Sequence, residues 1–83
     1  MLKVLYFAGL RESFGSAGES LPVPSPATVA ELINVLRARG DKWADSLAAG
    51  KRWRVAVNQD MATLESPLKA GDEVAIFPPV TGG

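Results

Sequence analysis

An α+β fold, one layer of mixed sheet wrapped around a single main helix, is what this chain predicts. Three observations carry that expectation. An alternating run opens the sequence at residues 2–7, a capped amphipathic stretch covers residues 29–39, and a second alternating run occupies residues 73–77. Short turn-bounded segments fill the intervals, and no second full-length helix is present in the pattern.

Taken in order, "MLKVLYFA" places Leu2, Val4 and Tyr6 on one face of a strand and Lys3, Leu5 and Phe7 on the other. "GLRESFG" reads as a short turn or single helical turn ending at Gly15. Residues 20–23 offer a brief strand, and Pro22 confines it to a sheet edge because proline has no N–H to give a second neighbour. In "TVAELINVLRARG", Thr28 and Glu31 have capping-box spacing, and Val29, Leu32, Ile33 and Leu36 recur at i, i+3, i+4 and i+7. Gly40 follows where a left-handed helix C-cap is expected, just after Arg37 and Arg39. A second, shorter helix is expected from an Asp41 cap to Gly50, with Trp43 and Leu47 facing inward. "WRVAVNQD" sets Trp53, Val55 and Val57 against the face that carries Arg54. Asn58 to Asp60 then turns a hairpin into "MATLE". A turn at residues 70–72 leads into the last strand, from Glu73 to Phe77. The order strand, strand, helix, short helix, strand, short strand, strand fits the β-grasp arrangement, with a split βαβ sandwich as the alternative. In a β-grasp the first and last strands lie side by side at the centre of the sheet. The reading is a single domain over residues 1–83 with residues 78–83 as an extended C-terminal tail.

Composition removes whole classes of function. With 83 residues there is room for one thin core, and 47% hydrophobic against 22% charged residues is globular rather than disordered. Nine Lys and Arg balance nine Asp and Glu, so nothing in the net charge favours nucleic acid or an anionic membrane. The apolar run near the start is too short to span a bilayer and lacks a cleavage pattern, which makes a cytoplasmic protein the expectation. There is no cysteine and no histidine. Disulfides, the usual zinc sites, a thiolate nucleophile and a histidine general base are therefore closed to it. A self-contained enzyme is the least favoured class, with no metal and no bound cofactor expected.

That leaves the tail as the chemical site. Pro78 and Pro79 have no backbone donors and prefer an extended shape, so this segment resists folding back into a sheet. Residues 78–83 extended reach roughly 20 Å. Gly82 and Gly83 carry no side chains and suit a channel too narrow for other residues. Such a tail delivers a terminal carboxylate into another protein's active site. A carboxylate is a poor electrophile until activated, for instance as an acyl adenylate; a sulfur donor can then displace AMP and leave a thiocarboxylate.

The segments "MLKVLYFAGLRESFG", "VAVNQD" and "PLKAGDEVAIFPPVTGG", together with the length, resemble the family of molybdopterin synthase small subunits, ubiquitin-like sulfur carriers of molybdenum cofactor biosynthesis. The resemblance implies that Gly83 is adenylated by a ubiquitin-activating-type enzyme, which uses ATP, and is converted to a thiocarboxylate with sulfur from a donor protein. The tail, Pro78, Pro79, Val80, Thr81, Gly82 and Gly83, then enters the large catalytic subunit. There the sulfur passes to cyclic pyranopterin monophosphate to build the molybdopterin dithiolene. It also implies a two-plus-two heterotetramer.

Strand parity makes a separate expectation. Phe7 shares a face with Lys3, and Phe77 shares one with Glu73 rather than with the core residues Val74 and Ile76. Both phenylalanines then lie on the open side of the sheet, with Met61 extending the patch, and an exposed apolar cluster of this kind marks an interaction surface. The competing reading has the short second helix or the Leu10–Phe14 segment covering them as a minor core. Arg11 and Lys69 are candidates for pairing with acidic groups on a partner, while Trp43 and Trp53 read as core or core-edge residues. Other function classes left open are a related β-grasp sulfur carrier for thiamine or another pathway, a ubiquitin-like protein modifier, and a plain interaction domain with an inert tail.

Overall fold

A computed structural model describes residues 1–48 and 53–78 of the chain. Among these described residues five strands form one mixed sheet, and three helices belong to the same fold: β1 (Leu2–Tyr6), α1 (Ala8–Phe14), β2 (Gly18–Leu21), α2 (Val29–Arg37), α3 (Asp41–Ser46), β3 (Arg54–Val57), β4 (Asp60–Met61) and β5 (Glu73–Phe77). The strand order is β2-β1-β5-β3-β4. β1 and β5 run parallel at the centre, Lys3 opposite Glu73 and Tyr6 opposite Ile76, and the other pairings are antiparallel. This is the β-grasp arrangement, and the split βαβ alternative is set aside.

One face of the sheet makes the core. Leu2, Val4 and Tyr6 of β1 and Val74 and Ile76 of β5 meet Val29, Leu32, Ile33 and Leu36 of α2, and Leu47 closes one side. Val74, Ile76, Val29 and Leu36 are all fully buried. Fully burying an aliphatic side chain of this size stabilises the fold by about 1.5–3 kcal/mol, so this cluster supplies most of what holds so small a chain together.

The helix ends depart from the sequence reading in instructive ways. Thr28 Oγ1 accepts from the Glu31 N–H at 3.2 Å, the expected cap, but the Thr28 N–H donates to the Pro26 carbonyl, so only half of the capping box forms. α2 stops at Arg37 with Ala38 as a right-handed C-cap, two residues before the expected end. Gly40 does take a positive φ of 80°, yet it serves as the N-cap of α3 instead of the C-cap of α2, and it displaces Asp41 from the capping role. A break this tight between two helices needs one residue free of the Cβ penalty, and Gly40 supplies it. The expected end of α3 at Gly50 lies outside the described residues. β2 also forms two residues earlier than expected, because Pro22 and Pro24 follow and cannot donate to the ladder. The segment before it is a two-turn helix, α1, closed by Gly15 in the left-handed conformation. The expected strand "MATLE" shortens to β4 after a turn in which Asn58 and Gln59 both have positive φ.

A side-chain cluster ties the edge strand β2 to the helices. Tyr6 Oη donates to Glu19 Oε2 at 2.6 Å, and Arg39 Nη1 and Nη2 grip the two oxygens of Glu19, each at 2.8 Å. The Arg39 guanidinium lies 4.5 Å from the Trp43 ring centroid, and Trp43 in turn stacks on Phe14 at 3.8 Å. Trp43 is thus half-buried at the core edge, and Trp53 likewise packs against the core from outside. The Arg39 fork holds the Glu19 carboxyl below its ordinary range. Burial, then the hydrogen bond to Glu19, pushes the Tyr6 phenol up.

Candidate functional site

The candidate site is the open face of the sheet and the point where the chain leaves it. Alternation along β5 sends Val74 and Ile76 into the core and Glu73, Ala75 and Phe77 to the other side. Register then assembles the open face in rows. Leu5 lies opposite Ala75, Ala75 opposite Ala56, and Ala56 opposite Met61; next to that row, Phe77 lies opposite Arg54. Phe7 follows directly on β1, and its N–H donates to the Ile76 carbonyl at 3.2 Å, which seats it beside the end of β5.

Phe7 and Phe77 stack, with centroids 4.9 Å apart and planes 13° from parallel. Phe7 is 39% exposed and Met61 63% exposed, while Phe77 is half-buried beneath its partner. Leu10 and Phe14 belong to the main core, so the alternative in which that segment covers the two phenylalanines as a minor core does not hold. The two alanines between the aromatic pair and Met61 leave the middle of the face flat. A groove of about 490 Å³ continues it toward the edge, lined by Lys3, Leu5, Gly18 and Ser20 among others. Gly18 sets its floor: a Cβ there would stand 2.6 Å from the Val4 carbonyl oxygen.

The expected charged residues do not gather in one place. Arg11 is exposed on α1, one turn beyond Phe7. Lys69 is also exposed but sits before the start of β5, at the far end of the sheet from Phe77. There its N–H donates to Asp72 Oδ2 at 2.9 Å. Asp72 Oδ1 accepts from Asn58 Nδ2 at 3.0 Å, and the Asn58 bond followed by the Lys69 amide holds this carboxyl below its ordinary range. The arrangement fastens the β3–β4 turn to the entry of β5; Lys69 is thereby part of a turn lock and not of the aromatic cluster. Pro78 follows β5 as irregular, half-buried chain, and Pro79, Val80, Thr81, Gly82 and Gly83 lie outside the described residues. Among the described residues no helix is long and apolar enough to cross a membrane.

The open face thus gathers apolar side chains at the end of β5, and a β-grasp sheet of this kind is compatible with several kinds of protein. The sequence decides among them, for a model of the ThiS family matches residues 4–83. The chain belongs to the ThiS family. Among curated relatives it is 46% identical over 83 residues to the molybdopterin synthase sulfur carrier subunit of Escherichia coli (strain K12), with 100% of both chains covered. Of solved structures, the ThiS-family chain resembles the Haloferax volcanii HVO 2177 protein, with a TM-score of 0.84 and 30% identity over 99% of this chain and 85% of the other. It also resembles the H. volcanii small archaeal modifier protein 1, with a TM-score of 0.71 and 31% identity over 95% of this chain and 97% of the other.

Proposed function

We propose that this chain is the sulfur carrier subunit of a molybdopterin synthase, and that it works in the cytoplasm as a reagent and not as an enzyme in its own right. The observation that carries the reading is the full-length match at 46% identity to a carrier subunit of that synthase. The Gly83 carboxylate attacks the α-phosphorus of ATP on a ubiquitin-activating-type enzyme, pyrophosphate leaves, and an acyl adenylate results. A sulfur donor protein then displaces AMP and leaves a thiocarboxylate. With residues 78–83 inserted into the large subunit, that sulfur is transferred to cyclic pyranopterin monophosphate, and the large subunit supplies the catalytic side chains. The carrier's own part is positional. β5, locked between β1 and β3, gives the tail a rigid origin, and Phe7, Phe77 and Met61 seat the sheet against the large subunit.

The test is the intact mass of the protein recovered from cells with an active sulfur-transfer pathway, with the C-terminal peptide fragmented. A gain matching oxygen replaced by sulfur on Gly83 is expected. An unmodified terminus after supply of ATP, activating enzyme and sulfur donor would overturn the reading. Likeness to a small archaeal modifier protein favours a second possibility, that the same activated glycine is joined to protein amines. Restoration of molybdenum cofactor in a carrier-deficient strain is the outcome expected here, and failure of a well-expressed protein to restore it would favour the modifier.

A further inference from the structure

Arg54 is a charged residue set into the apolar end of the open face. It opens β3 directly opposite Phe77, and alternation puts it on the same side as Ala56 and Phe77 while Val55 enters the core. Its side chain is exposed, and the one ion pair among the described residues is that of Arg39 with Glu19. Arg11 is exposed on α1 one helical turn after Phe7, with Glu12 beside it in sequence. At the opposite end of the same face Lys3 and Glu73 stand side by side in register and offset one another. Asp60 pairs with Val57 and so belongs to the other side of the sheet. Among the described residues Arg54 is therefore the charged side chain that strand register sets beside Phe77 on the open face.

We propose that Arg54 is a specificity-determining contact that meets a carboxylate of the molybdopterin synthase large subunit when the two dock. This rests on the docking reading above and adds to it the chemistry of the partner's surface. A partner that covers Phe7 and Phe77 also strips water from Arg54, and a guanidinium buried without an acceptor is strongly unfavourable. Its planar fork matches a carboxylate through two parallel N–H···O bonds, which a flat apolar surface does not offer. The charge also removes an ambiguity. Stacked rings and alanines bind apolar surface in many orientations, whereas a fork set on one side of Phe77 accepts one, the orientation that aims residues 78–83 at the partner's active site.

The experiment is calorimetric titration of the full chain with the large subunit from the same organism, across a series of sodium chloride concentrations. Thermal melts check that each variant folds. Arg54→Glu is expected to bind about tenfold or more weakly at low salt, the gap closing as salt rises, because like charges now face one another. Arg54→Gln, which keeps donors without charge, is expected to weaken binding severalfold, and it takes the place of Arg54→Glu should that variant fail to fold. Phe77→Ala separates the two levels of argument. Weak binding by Phe77→Ala together with unchanged affinity and salt dependence of the Arg54 variants would overturn the role of Arg54 and leave the docking face standing. Unchanged affinity of Phe77→Ala would remove the docking face and this inference with it.

Discussion

The two faces of β5 are made from alternate residues of one pentapeptide, yet they obey different rules. Val74 and Ile76 are branched, fully buried and fitted against α2, so their value lies in volume. Glu73, Ala75 and Phe77 face away, where shape and charge are read by whatever arrives from outside. The contrast teaches that stability and recognition can be kept almost independent in a sheet one layer thick, since a change on one face leaves the other face's contacts in place. It also means that β5 is held by the core on one side and leaves Glu73 and Phe77 partly exposed on the other.

That separation can be broken or sharpened by substitution. The largest effect is expected at Ile76→Ala, which leaves a cavity between β5 and α2 and costs about 3–4 kcal/mol in denaturant unfolding. Its carrier activity should fall only in proportion to the unfolded fraction. Phe77→Ala should do the reverse, weakening complex formation by about 2 kcal/mol in a titration with the large subunit while the melt moves far less. Should the two substitutions affect folding and binding alike, the independence of the faces would be wrong. Gly18→Ala tests the edge, because the new Cβ meets the Val4 backbone oxygen and β2 must shift; a loss of about 1–2 kcal/mol is expected. The smallest effect belongs to Glu19→Gln, about 0.5–1 kcal/mol, since the pair with Arg39 is partly exposed and a neutral amide keeps one acceptor oxygen. Its signature is in pH. The Glu19 carboxyl titrates lower folded than its ordinary 4.5, so its contribution is whole above that value and is lost as pH falls through the folded one. Asp72 is depressed in the same sense. Acid unfolding of Glu19→Gln should therefore be shallower than that of the native chain, with the Asp72 share of the slope retained.

Much of this architecture was legible in the sequence where the signal is local. Period-two alternation located β5 to the residue, and the spacing of Val29, Leu32, Ile33 and Leu36 located α2, because burial on one side is written directly into residue order. Parity alone puts Phe7 and Phe77 on the open face. What escaped depends on pairs distant in the chain. Nothing local says that Glu19 will be clamped by Arg39, twenty positions on, or that Lys69 will lie at the end of the sheet away from Phe77. Gly40 escapes for a different reason: a glycine with positive φ between two helices looks the same from either side, and where α2 stops is set by tertiary packing. Arg54 carried a usable signal in its parity opposite Val55, and it gains its interest from the register that sets it across from Phe77.

The central pairing of β1 with β5 has a consequence for how the protein is made. In synthesis β1 waits for β5, because Val4 and Tyr6 find their neighbours Val74 and Ile76 only once the whole of the intervening chain has been made. A nascent or prematurely released chain has neither a closed sheet nor the pair of rings that sits across its end. The central pair thereby makes β5 a condition of folding: a copy that lacks it lacks the middle of the sheet and, with it, both faces.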